Sequence, residues 1–157
     1  MKTLAIVAVV ALASVGNAGV ACAQNVRGFA AAGTTRDVNH QNFPTIGGGL
    51  LIEAGQPWVA VGAEAETFWS WPYFAGRGTV FGQVHVSSKQ TVRPFALAGY
   101  GWGEEGGVMV GGGIEIRPRG SALGLRATVE DYVVHVRGYP NAYTGHQLAF
   151  RMGVSFR

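Results

Sequence analysis

The closing stretch HQLAFRMGVSFR deals its residues out one for one. Leu148, Phe150, Met152, Val154 and Phe156 fall on one parity, and Gln147, Ala149, Arg151, Gly153, Ser155 and Arg157 on the other. A helix would scatter this pattern around its axis, whereas a strand sorts it into one apolar face and one polar or small face. Strands of this kind can be satisfied in two ways. A soluble barrel or sandwich turns the apolar faces inward to a core; a membrane barrel turns them outward to lipid and lines its interior with the polar set.

The same period of two persists along the chain. Strand character runs through Val26–Gly33, Thr45–Ala54, Trp58–Phe68, Gly78–Val86, Val92–Trp102, Val108–Arg117, Ala122–Val136 and the closing stretch. Between them stand the polar TTRDVNHQNFP, the tight Gly55-Gln56-Pro57, the aromatic WSWPYFAGR, SSKQ, GEEG, Pro118-Arg119-Gly120-Ser121 and RGYPNAYTG. Most segments match the roughly 9–11 residues of a tilted strand that crosses a bilayer. Connections after the second, fourth and sixth segments are short, and those after the first, third and seventh are long. That asymmetry predicts an all-β fold, an eight-stranded antiparallel up-and-down transmembrane β-barrel with short periplasmic turns and longer external loops.

Sorting by parity gives two sets of residues with opposite character. Arg27, Glu53, Glu64, Glu66, Glu115, Arg117, Arg126, Glu130 and Arg151 share the polar parity of their segments and form a predicted interior charge network in near balance of sign. The opposite parity is almost free of charge, as lipid contact requires, because an Arg or Lys at the midplane costs about 2–4 kcal/mol. In the fifth segment both parities carry apolar residues, and the Tyr100/Trp102 face is assigned to lipid. Aromatics gather at segment ends, with Trp69, Trp71, Tyr73, Tyr100, Trp102, Tyr132 and Tyr143 toward the external side and Trp58 and Phe156 toward the periplasmic side. Membrane-interface belts have this distribution. Gly47–Gly49 and Gly111–Gly113 leave room beside long charged neighbours.

The chain of 157 residues has one domain's length, with 25 Gly and only 13% charged residues. It begins MKTLAIVAVVALASVGNAGVACAQ, in which Lys2, an apolar run from Leu4 to about Val15 and the small triplet Ala21-Cys22-Ala23 have the layout of a signal peptide. Cleavage after Ala23 divides the chain into a signal peptide over 1–23 and a barrel domain over 24–157. Ser14, Gly16 and Asn17 interrupt the run before the roughly 20 residues of a spanning helix. Acylation of Cys22 is disfavoured by Gly19, which stands where lipid-anchor signals place a branched apolar residue. Cys22 is the single cysteine, so the mature barrel depends on burial and strand pairing rather than disulfides.

Motifs that would carry chemistry read as structure instead. Gly101-Trp102-Gly103-Glu104-Glu105-Gly106 matches G-x-G-x-x-G, but a strand rather than a helix follows it, so no dinucleotide cofactor is expected. His85-Val86-Ser87 has the His-x-Ser spacing of the lipid A deacylase barrels. It falls near the periplasmic end without a carboxylate partner, so no enzyme is expected. His40, His135 and His146 gather toward the external mouth with Asp131, without the tight spacing of metal ligands. The net charge of +3 includes Lys2, and the Arg residues are dispersed, which excludes a nucleic-acid footprint.

RPFALAGYGWG, GGGIEIRPRGSALGLRATVEDY and LAFRMGVSFR resemble the last four strands of small bacterial outer-membrane β-barrel proteins, the group that includes the barrel of outer-membrane protein A. The resemblance implies residence in the outer membrane, contact with its lipid, and insertion by the barrel-assembly machinery, which reads a last strand ending in an aromatic. Phe156 is penultimate here and Arg157 follows it, a departure from that pattern. The peptidoglycan-binding role of relatives with a second domain does not carry over. The expected function is structural or surface interaction through external loops, with WSWPYFAGR and RGYPNAYTG as contact surfaces toward an external ligand or surface. A narrow diffusion pore and a soluble periplasmic barrel binding a small apolar ligand stay open as alternatives.

Overall fold

The computed structural model describes residues 26–53, 58–70, 73–86, 91–103, 106–136 and 143–157, so the expected signal peptide and Trp71 lie outside the described residues. The eight strands are β1 (Val26–Arg36), β2 (Asn42–Glu53), β3 (Val59–Ser70), β4 (Tyr73–His85), β5 (Val92–Gly103), β6 (Gly107–Ile116), β7 (Leu123–Val136) and β8 (Tyr143–Phe156). Each pairs antiparallel with its neighbours in sequence, and β1 pairs with β8, from Gly28↔Phe156 to Arg36↔Leu148, to close the barrel. Closure leaves no unpaired edge, the hazard that open sheets must otherwise cover. The Phe156 ring lies over Gly28 at this seam, where a Cβ would collide with it; only a residue without a side chain admits the ring.

Three expected loops are shorter than their composition suggested. Thr34–Arg36 and Asn42–Pro44, placed in a polar loop, continue the β1–β2 ladder, which leaves residues 37–41 as the turn. Asp37 closes that turn, accepting hydrogen bonds from the backbone N–H groups of Asn39 (2.9 Å) and Gln41 (2.8 Å), with His40 at φ 63°. An Asp side chain that mimics a backbone turn makes a long loop unnecessary. Trp69 and Ser70 belong to β3, and Tyr73 to Arg77 belong to β4, paired down to Ser70↔Tyr73. Aromatic residues favour strands, so WSWPYFAGR is mostly wall. Tyr143 to Gly145 of RGYPNAYTG likewise belong to β8. The expected contrast between long and short connections is therefore a contrast in strand extension, with the hairpins of one rim lengthened by paired residues.

Alternation sorts every strand into two faces. The inward residues are buried: Arg27 and Phe29 on β1, Leu51 and Glu53 on β2, Glu64 and Glu66 on β3, Phe81 and Gln83 on β4. The outward residues of the same strands include exposed Val26, Ile52, Val61, Val80 and Val84. Along β8 the outward set runs Leu148, Phe150, Met152, Val154, Phe156, and Met152 is 62% exposed. From Leu148 to Phe156 the apolar face extends about 26 Å at about 3.3 Å per residue. With strands tilted by roughly 40°, its height is about 20 Å, close to the roughly 25 Å band of membrane barrels.

Candidate functional site

Parity, burial and closure bring the charges of seven strands and of Arg117 at the end of β6 into one lumen. Among the described residues five Arg (Arg27, Arg77, Arg117, Arg126, Arg151) and five Glu (Glu53, Glu64, Glu66, Glu115, Glu130) are buried, an equal balance. The structure places all nine residues of the expected charge network in this set. The tenth, Arg77, was assigned to the aromatic loop; it has the parity of Thr79, Phe81 and Gln83 on β4, and continuing that alternation backwards would have found it.

The network has three levels. At the lower rim, where β6 turns into β7, Arg27 pairs with Glu53 and with Glu115 (3.4 Å). Arg117 pairs with Glu115 at 2.8 Å, and Ser155 Oγ joins the two, accepting from Arg117 (2.9 Å) and donating to Glu115 (3.0 Å). At mid-height Arg126 has no carboxylate within ion-pair distance among the described residues. Its guanidinium lies 4.2 Å from the Phe95 ring centroid and 5.0 Å from that of Phe29, and it donates to Gln83 Oε1 at 2.7 Å. A cation desolvated between aromatic faces gains about 2 kcal/mol or more from their quadrupoles. Gln83 in turn contacts His85 Nε2 at 2.8 Å.

The upper level is built on Arg151, which reaches Glu66 (3.0 Å), Glu64 (3.0 Å) and Glu130. Arg77 donates through Nε to Glu66 at 2.6 Å and through Nη1 to Gln147 at 2.9 Å. Its guanidinium carbon lies 3.2 Å from the centroid of the Tyr132 ring. The Tyr132 hydroxyl is 3.1 Å from both Glu64 and Glu130, and a phenol has one proton to donate, so these two carboxylates share it. Three Glu thus face two Arg here, and Arg126 below restores neutrality. Inward glycines give these side chains their space: a Cβ on Gly49 would come within 2.9 Å of Glu64 Cβ, and one on Gly111 within 3.0 Å of Glu130 Cγ.

Tyr132 corrects an expectation. It was assigned to the aromatic belt, but its relative exposure is 0%. Its parity on β7 is that of Arg126, Thr128 and Glu130, so it points inward; a position near the strand end does not override the pleat. Of the remaining belt residues, Trp58, Trp69, Tyr100, Trp102 and Phe156 are exposed on the wall, Tyr73 is the first residue of β4, and Trp71 lies outside the described residues. Phe74, missed because it was read as loop, stacks on Trp69 with centroids 5.5 Å apart. Trp102 lies across Gly78, its cross-strand partner, the arrangement in which an aromatic covers the gap left by a glycine.

The other motifs resolve as follows. His85 points into the lumen, Val86 points outward, and Ser87 lies outside the described residues. Gly101 and Gly103 belong to β5, and β6 begins at Gly107, so strands flank the glycine-rich turn. His146 contacts Asp131 at 2.9 Å on the outer surface, where the apolar face of β8 ends. No group of three His, Cys, Asp or Glu suited to a metal occurs among the described residues.

A closed eight-stranded antiparallel barrel with an apolar wall and a charge-filled interior is the class of protein these features define. The crystal structure of Neisserial surface protein A is similar in fold, with TM-score 0.64 and 8% sequence identity over 83% of this chain and 94% of that chain. The N-terminal β-barrel domain of Pseudomonas aeruginosa OprF is similar as well, with TM-score 0.56 and 12% identity over 85% of this chain and 98% of that chain. Both are eight-stranded outer-membrane barrels. No family model and no curated protein matches the sequence. At these identities the likeness is one of fold.

Proposed function

We propose that the chain is a non-enzymatic integral outer-membrane protein, whose role is structural or surface interaction and is carried by its wall and external hairpins rather than by its lumen. The observation that carries this reading is the inversion of the usual burial order. Exposed Ile, Leu, Val, Phe and Met side chains cover the outward faces, while Arg and Glu are buried. Soluble monomers rarely expose contiguous apolar surface beyond a few hundred Å², and lipid is the solvent that makes such a wall favourable. The filled lumen supports a plug rather than a channel, since eight strands leave an interior just wide enough for side chains.

In this reading residues 1–23 direct export and are removed, and the barrel-assembly machinery inserts residues 24–157. The rim carrying the β1–β2, β3–β4, β5–β6 and β7–β8 hairpins faces outside. Trp69, Phe74, Tyr100 and Trp102 then lie toward the external interface, with Trp58 and Phe156 at the periplasmic one. The lengthened hairpins present His40 and Asn42 to an external ligand or surface. The test is membrane partition of the full-length chain expressed in a Gram-negative host, followed by gel mobility with and without boiling. Extraction only by detergent, with a mobility shift on boiling, is expected. Release into plain buffer would overturn the membrane reading.

A further inference from the structure

At the lower rim the turn from Pro118 to Ser121 and the end of β8 frame an open cleft of about 400 Å³. Arg93, Arg117, Arg119 and Arg157 line it, and among the described residues no Asp or Glu side chain does. Arg117 is 5% exposed, and only its Nη2 is engaged, by Glu115 and Ser155; Nε and Nη1 find no acceptor among the described residues. Buried donors are nearly always paired, so two open positions on a guanidinium beside a basic cleft point to an anionic acceptor.

The backbone holds this arrangement in place. Arg117 N–H donates to Thr91 O at 2.8 Å, Arg157 N–H to Ala122 O at 3.1 Å, and Ser121 N–H to Pro118 O at 3.1 Å. Gly120 takes φ 75°, the left-handed region that lets the turn close. The guanidinium-bearing positions are therefore set by strand ends and one tight turn.

We propose that this cleft binds a phosphate-bearing anion. A carboxylate occupies one guanidinium fork, whereas a phosphate offers three or more acceptor oxygens to forks arriving from different strands. Two sources present this chemistry, a soluble phosphate and the headgroup of an anionic phospholipid at the membrane surface. The headgroup source rests on the membrane reading above; the soluble source does not.

The test uses the full chain folded in a maltoside detergent and titrated with inorganic pyrophosphate by calorimetry, and in parallel nanodiscs of mixed phosphatidylglycerol and phosphatidylcholine with retained lipid read by native mass spectrometry. Arg119→Gln/Arg157→Gln is the variant and Arg36→Gln, at the opposite rim, the control. Binding about tenfold weaker in the double variant, with the control close to wild type, is expected. Loss of pyrophosphate binding assigns a soluble phosphate; loss confined to phosphatidylglycerol retention assigns the headgroup. Absence of saturable uptake in both formats, or equal uptake by wild type and variant, overturns the proposal. Should the double variant lose its heat-dependent mobility, Arg119→Gln alone carries the comparison, with binding weakened about threefold. A chain released into buffer fails the membrane reading and leaves the pyrophosphate titration intact.

Discussion

Arg151 shows what a narrow charged lumen asks of a single side chain. Its two terminal nitrogens serve Glu64, Glu66 and Glu130, with Arg77 as the second cation on Glu66. A buried pair contributes little net stability, but removing one partner leaves uncompensated charge and costs about 3–5 kcal/mol. Arg151→Met is therefore expected to destabilise the folded barrel by about that amount, measured by urea unfolding in lipid vesicles. Adding Glu130→Gln to it should recover part of the loss, because one of the stranded carboxylates is neutralised. An equal loss in the single and double variants would show that Arg151 acts by packing alone. In the sequence Arg151 was readable as inward from parity. Its partners were not: Glu64 and Glu66 are 87 and 85 residues away.

On the scale of one strand, β8 puts apolar residues outward from Leu148 to Phe156 and changes character at His146, whose ring meets Asp131 of β7. That change marks a boundary of the apolar wall. Depth along the strand should then set the cost of a charge: Met152→Arg is expected to cost about 2–4 kcal/mol in a bilayer, and His146→Arg about 0–1. The same unfolding measurement reads both, and equal costs would remove the argument that this face meets lipid. Strand cores and their faces were legible because the period of two needs only local sequence. Strand ends were not, since polar and aromatic residues in TTRDVNHQNFP and WSWPYFAGR suggested loops where antiparallel partners extended the ladder. Cross-strand hydrogen bonds decide such boundaries, and they depend on what lies opposite.

For the whole molecule, the upper level around Arg77, Tyr132 and Arg151 and the middle level of Arg126 beside Phe29 and Phe95 lie inside the barrel, and in the proposed reading they form a plug in two layers. The wild-type barrel in a planar bilayer is expected to show no steady conductance. A steady current altered by Glu64→Gln would instead make the lumen a pore. Ten buried charges of balanced sign among the described residues make the interior costly to open, because each charge separated from its partner loses both Coulomb attraction and hydrogen bonds. The sequence by itself determined that the chain makes strands, how many, and which residues share a face, because pleat geometry turns parity directly into side. Only the tertiary structure decided that the wall closes between β1 and β8, how far each strand extends, and which Arg meets which Glu. Those contacts join residues as far apart as Arg27 and Glu115, separated by 88 positions. Local alternation says which way a side chain points; register and closure fix the height at which it arrives and the partner it meets there.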